Sequence, residues 1–154
     1  MRLYLIRMKG TAKFSVHVGD ARASASFAGA GSCDAFLCDP PYGLADYSAN
    51  DLSRCLMSWA GGGEFRMDKR GIKGAKWDSC VPSPAVWRGV MGALKPGALG
   101  FVFAAPRTFD LTSVSMRLAG LEVCDTLSWL HTSGMPKGAG AHVSGGESWR
   151  GYAY

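Results

Sequence analysis

Residues 15–43 read SVHVGDARASASFAGAGSCDAFLCDPPYG. Ser15 to Asp20 is a short β-branched run that closes on Gly-Asp. The Ala-rich ARASASFA that follows has helical propensity for about two turns. GAGSC then makes a loop, and Asp34 to Asp39 (DAFLCD) is a second apolar run that again closes on Asp. Strand, short helix and strand within roughly 25 residues predict a βαβ unit, with parallel strands and a right-handed crossover. Asp20 and Asp39 then stand at the carboxyl ends of neighbouring strands, the edge of an open α/β sheet where ligands bind.

Working outward, the pattern dissolves over residues 43–77. This long stretch carries Gly61-Gly62-Gly63 and the basic run FRMDKRGIKGAK. A loop longer than ~12–15 residues is usually functional or disordered. Order returns at PSPAVWRGVMGALKPG, where Ser83 suits an N-cap and Pro84 the first helical position. Val86, Val90 and Leu94 share a face beside Trp87 and Met91, and Lys95-Pro96-Gly97 is read as the stop. Leu99 to Ala105 reads as a buried strand. Thr108 to Ala119 reads as an amphipathic helix through Leu111, Val114 and Leu118, ended by Gly120. LEVCDTLSWL (121–130) alternates, with Leu121, Val123, Leu127 and Trp129 on one parity, as a strand with one exposed face should. Residues 134–154 form a Gly-rich tail in which little independent structure is expected. No internal repeat is visible.

At 154 residues and 47% hydrophobic, the chain predicts one domain, 1–154, with a real core rather than wholesale disorder. Its 21 glycines lack a three-residue period, which excludes collagen and points to many tight turns. The apolar run Leu99–Ala105 is far short of the ~20 residues needed to span a bilayer. The start, MRLYLIRMKG, breaks at Lys9 before any useful apolar core of a signal peptide. A soluble, cytoplasmic protein with no membrane partner is the expectation. The five cysteines are odd in number and never spaced C-x-x-C, so reduced, mostly buried thiols are expected. His17, His131 and His142 stand alone, and no metal site is expected. The net charge of +5 permits a polyanionic partner without demanding one.

The residues richest in chemistry are Asp39-Pro40-Pro41-Tyr42, followed by Gly43. A strand that ends in Asp and turns through two prolines is rigid, and prolines offer carbonyls without N–H donors. An acceptor-only carboxylate and a fixed carbonyl are thereby presented together, with an aromatic face beside them. That suits a flat ring carrying an amino group: two N–H hydrogens for two acceptors, and the ring on Tyr42.

DPPYG after an apolar strand resembles the catalytic motif of amino-methylating DNA methyltransferases, which act on adenine N6 or cytosine N4 and use S-adenosylmethionine. The likeness extends through HVGDARA…CDAFLCDPPYGL, GAKWDSCVPSPAVWRGVMGALKPGALGFVFAAPRTFD and LAGLEVCDTLSWLHTSGMPKG, from about Val16 to Lys137. These blocks follow one another as in phage and bacterial members of the β-type order, often partners in restriction-modification, where the target-base motif precedes the cofactor loop. The resemblance implies an α/β fold with a mostly parallel, Rossmann-like sheet of the S-adenosylmethionine-dependent type. It implies that Asp39, Pro40, Pro41 and Tyr42 hold a base flipped out of double-stranded DNA. Hydrogen bonds from the amine to the Asp39 carboxylate and Pro40 carbonyl would turn its lone pair toward the methyl group. Unstacking costs a few kcal/mol, and stacking on Tyr42 returns ~1–3 kcal/mol. Adenine is preferred to cytosine as the target. Asp20 is implied beside the cofactor's adenine amino group, and a helix N-cap role is compatible with that.

Arg66, Lys69, Arg70, Lys73 and Lys76 are candidate phosphate contacts, with a solvated charged loop as the alternative. Trp77-Asp78 and Arg107-Thr108 match family blocks without acquiring a role. Phe27-Ala28-Gly29-Ala30-Gly31 spells the family's F-x-G-x-G cofactor loop. It precedes a strand, so it is read as an ordinary connection. Cys38 lies before Asp39 rather than after a proline, so it reads as a buried strand residue and not as a cytosine-C5 nucleophile. Past GMPKG the family pattern would continue to a recognition region and the glycine-loop strand, whereas this chain reaches SWRGYAY. The expected fold is therefore incomplete. It would be a methyltransferase part working with a second polypeptide that carries the cofactor loop, or as a homo-oligomer. An inactive remnant or DNA-binding module competes, and a protein-glutamine methyltransferase is disfavoured because those enzymes favour Asn where this chain has Asp39.

Overall fold

The structure, a computed structural model, describes residues 15–71, 74–130, 138–142 and 148–152. The chain divides into two compact units, 1–123 and 124–154. In the first, a 3-10 turn (Ala21–Ala23) runs into α1 (Ser24–Ala28), followed by β1 (Cys33–Cys38) and α2 (Ala49–Ala60). A second 3-10 turn (Lys76–Asp78), α3 (Pro84–Met91), β2 (Leu94–Val102) and α4 (Phe109–Ala119) complete it. Helices and a small parallel strand pair together make a mixed α and β unit, as expected at that level. Among the described residues, no helix is long and apolar enough to cross a membrane.

β1 pairs in parallel with β2, Cys38 opposite Val102. This corrects the expectation that Ser15–Asp20 is the neighbouring strand. Among the described residues that run supplies only a single bridge residue, Val16. His17 stacks on Phe27 of α1, ring centroids 5.5 Å apart, while Val16 and Val18 stay exposed. The run is short and has a histidine at its centre, which gives it little apolar surface to hold it against the sheet. The helix expected to stop at Lys95-Pro96-Gly97 ends earlier, at Met91, and those residues open β2 instead. The register jumps there: β2 advances from Leu94 to Leu99 while β1 advances from Cys33 to Ala35. Proline cannot donate to a ladder and is tolerated at such a bulge. Gly97 accepts the left-handed turn, φ +78°.

One face of the pair carries Phe36, Cys38 and Val102 against Trp87 and Met91 of α3 and Met116 and Ala119 of α4. The opposite face carries Leu37, Leu99 and Phe101, all exposed. A second cluster joins Cys55 and Trp59 of α2 to Val81 and to Leu111 of α4, with Tyr47, Leu52 and Phe65 packed around it.

α2 lies inside the stretch read as a 43–77 loop. Its signals were local. Ser48 accepts from the Asp51 N–H while the Asp51 carboxylate accepts from the Ser48 N–H, a complete capping box. Asp51, Cys55 and Trp59, four residues apart, form its buried face. Lys69 Nζ donates to Asp51 Oδ2 at 2.6 Å and to the Asp46 carbonyl at 2.9 Å, tying the following loop to the helix start. The Lys69 ammonium and then the Ser48 donors hold the Asp51 carboxyl below the usual carboxylate range. A lowered carboxyl stabilises the fold above its unfolded value near ~4, and that contribution is lost as pH falls toward the folded value. Melting curves between pH 7 and pH 2 should therefore fall more steeply below ~4 for the wild type than for Asp51→Asn. Parallel curves would remove Asp51 as a source of acid sensitivity.

Residues 121–130, expected as a strand, belong to none, and Leu127, Trp129 and Leu130 are each at least 75% exposed. Alternation specifies a strand only where a neighbouring strand and a layer to bury against exist. In the second unit β3 (Gly138–His142) pairs antiparallel with β4 (Ser148–Tyr152), Ala139 opposite Gly151. The tail expected to lack structure thus holds an antiparallel strand pair. Gly-Ala alternation has low strand propensity, and its ordering comes from the partner strand's backbone bonds.

Candidate functional site

β1 ends at Cys38, and the main chain carries the β1–β2 contact one step further through Phe103 N–H to the Cys38 carbonyl, 2.9 Å. Asp39 follows directly at the carboxyl end of a parallel strand and is exposed, while Pro40 is buried. The Tyr42 hydroxyl donates to Asp39 Oδ1 at 2.6 Å. Burial, and then this bond to the carboxylate, push the Tyr42 phenol up to about 12. It therefore remains a protonated donor through the neutral range. The bond fixes the Tyr42 ring beside an exposed carboxylate. The expected grouping of Asp39, Pro40, Pro41 and Tyr42 is thus one rigid turn.

What makes the turn rigid lies elsewhere in the chain. Pro40 and Pro41 have no N–H, so the segment 40–44 has three backbone donors, on Tyr42, Gly43 and Leu44. All three go to Asp78. Its Oδ1 accepts from Tyr42 N–H at 2.7 Å and Gly43 N–H at 3.2 Å, and its carbonyl accepts from Leu44 N–H at 2.9 Å. Asp78 is 4% exposed. From the other side, Thr108 Oγ1 donates to the Tyr42 carbonyl at 2.5 Å. Thr108 stands at the N-cap of α4, yet its hydroxyl makes no cap bond there. Sequence reasoning left both residues without a role. The two prolines signal a turn with few donors, but no local feature of the sequence names their acceptor.

Gly43 has φ +66°, and a Cβ there would lie 2.6 Å from the Val81 nitrogen and 2.9 Å from its Cγ1. Gly43→Ala is expected to cost about 2–3 kcal/mol, from left-handed backbone plus the clash with Val81. Urea unfolding reads this directly, and a loss under ~0.5 kcal/mol would show that the turn relaxes without harm.

Cys38 is buried, and desolvation followed by the Asp39 charge lifts its thiol to about 11. That fits a packed strand residue rather than a nucleophile. Phe27 and Ala28 close α1, and Gly29 and Gly31 adopt positive φ in the link to β1, so F-x-G-x-G here is a connecting turn. Among the described residues no group of His, Cys, Asp and Glu could hold a metal ion.

Asp20 does not end a strand. It caps the first 3-10 turn, accepting from Arg22 N–H at 2.9 Å. Arg22 Nε and Nη2 grip both carboxylate oxygens, the latter at 2.6 Å, and hold the Asp20 carboxyl down at about 2. Arg22 Nη1 also donates to Glu64 Oε1 at 2.6 Å. The cleft beside them, about 220 Å³, is lined by Asp20, Arg22, Glu64, Phe65, Arg66 and Val86 among others. Ligand pockets start near ~300 Å³. This cleft is below that size, and its Asp20 wall is paired with Arg22.

The basic cluster is not one surface of like members. Lys69 is committed to Asp51 and Asp46. Arg66 faces Glu64 at 3.8 Å and is highly exposed, and Arg70 and Lys76 are exposed. Lys73 lies outside the described residues, as do residues 1–14. No protein-family model, no curated protein and no solved structure matches the chain.

Proposed function

We propose that this chain carries the target-amine side of a DNA amino-methyltransferase with a Rossmann-like α/β fold. The reaction is transfer of a methyl group from S-adenosylmethionine to the exocyclic amine of a flipped base, adenine N6 before cytosine N4. One observation carries the reading: an exposed Asp39 carboxylate and the Pro40-Pro41-Tyr42 turn stand together at the carboxyl end of a parallel strand.

The chemistry asked of these residues is modest and specific. An aromatic amine is a poor nucleophile because its lone pair is spread into the ring. Asp39 Oδ2 and the Pro40 carbonyl accept its two hydrogens, which draws electron density back onto nitrogen and sets the lone pair's direction. The Tyr42 hydroxyl, donating to Oδ1, keeps the carboxylate from rotating and sets its own ring for the base to stack on. Exposed Arg66, Arg70 and Lys76 are the phosphate-facing groups of this reading. In this reading Asp20 offers one wall of the cofactor's pocket, and a second polypeptide or a second copy of the chain completes it.

The test is nucleoside analysis of DNA from a methylation-deficient bacterial host that expresses the gene with its native neighbouring sequence. N6-methyladenine that appears with the wild type and disappears with Asp39→Ala supports the proposal. N4-methylcytosine alone would correct the target, and unmodified DNA would overturn the reading.

A further inference from the structure

We propose that Asp78, with Thr108, is the positioning residue for the target amine: it holds the Tyr42 peptide from both sides and thereby aims the Asp39–Pro40 acceptor pair. The inference rests on the reading of Asp39 and Pro40 as the amine's acceptors. It assigns a purpose to two residues that touch neither base nor reacting atoms.

Asp39 lies between a strand that is fixed by its ladder and a turn that has no ladder. The two prolines set φ but cannot anchor the turn, because anchoring needs donors. The three donors that follow converge on Asp78, two on one carboxylate oxygen and one on its carbonyl. An acceptor-only side chain is what this task requires, since both incoming groups are N–H. Its burial keeps water from competing for those bonds. Thr108 secures the carbonyl of the Tyr42–Gly43 peptide, whose N–H is held by Asp78. That bond reaches across 66 residues of sequence. Tilt of the Tyr42 backbone would be passed back through the two prolines, whose φ is fixed, to the Pro40 carbonyl and to Asp39.

The test compares binding of two single strands by the whole chain. One is oligo(dA). The other is the same length built on purine deoxyriboside, which has the ring but lacks the amine. Wild type should prefer oligo(dA) by about 10-fold, the scale of a hydrogen bond to a charged acceptor. Asp39→Ala should abolish that preference. Asp78→Ala should bring it to near unity, whatever it does to the affinity shared by both strands. Asp78→Asn, whose Oδ1 can still accept both N–H groups, should keep the preference within about 3-fold of wild type. Thr108→Val, which removes only the hydroxyl from a side chain of similar shape, should lower it about 3-fold. It decides the matter if Asp78→Ala does not fold.

Ser115→Ala is the control for lost packing. That hydroxyl is fully buried between Trp87 and the Pro82 carbonyl and has no bond to the turn. A wild-type preference in both Asp78→Ala and Thr108→Val would overturn the proposal, as would an equal loss in Ser115→Ala. A wild type that does not distinguish the strands would instead overturn the reading of Asp39 as an amine acceptor.

Discussion

Asp39→Ala should lower amine methylation by about 100- to 1,000-fold, the range seen when a preorganised group aimed at developing charge is removed. Tyr42→Phe should stay within a few-fold of wild type, because the ring remains for stacking and only the bond to Asp39 Oδ1 is lost. The contrast is the informative part. In the proposed mechanism the carboxylate polarises the amine, whereas the phenol only limits the carboxylate's rotation on a backbone that the two prolines already fix. Single-turnover methyl incorporation, measured on the assembled enzyme, separates the chemical step from product release. Near-normal incorporation by Asp39→Ala would defeat the mechanism, and equal losses in both variants would make the phenol a partner in chemistry.

A comparably large effect is expected far from the amine site. Trp87 is fully buried, and its indole N–H donates to Ser115 Oγ at 3.1 Å. It packs with Cys38, Phe36 and Val102 of the strands and with Ala119 and Met116 of α4. It is therefore the side chain on which sheet and helices meet. Trp87→Ala should cost ~3–5 kcal/mol through lost burial and a residual cavity. Against a whole-domain stability of about 5–15 kcal/mol, that removes between about a fifth and all of the margin. Trp87→Phe keeps most of the apolar contact and should cost about half as much. Guanidinium unfolding checks both values. A loss below ~1 kcal/mol for Trp87→Ala would mean that the helices collapse onto the sheet and fill the space.

The elements legible in the sequence were those whose signals are local. Ser83-Pro84 starts α3 as expected, and Gly120 at φ +103° ends α4 where the sequence placed a stop. α2 was equally legible, through Ser48, Asp51 and the Cys55–Trp59 spacing, but glycines and lysines downstream disguised the segment as a loop. Strand pairing was the failure. Val16 and Val18 look as strand-like as Leu99 and Phe101 in isolation. Which run lies beside β1 is decided by what covers each face, and no residue records that alone.

At the site, the prolines and Tyr42 announced a rigid turn beside Asp39. The anchor could not be read, because Asp78 lies more than 30 residues away in sequence and its carboxylate serves main-chain groups that every residue but proline possesses.

The parallel pairing of β1 with β2 also sets a timetable. Cys38 meets Val102 only after roughly 60 further residues have been made, a wait of about 3–12 s at ribosomal rates of ~5–20 residues per second. Throughout that interval an emerging chain carries CDAFLC as an unpaired, largely uncharged strand. α2, with its self-contained cap, can form meanwhile, but it packs against α4, which is made later still. Slower translation across residues 40–95 would prolong the exposure, and aggregation during synthesis would then rise with codon choice alone, with no change in the folded molecule.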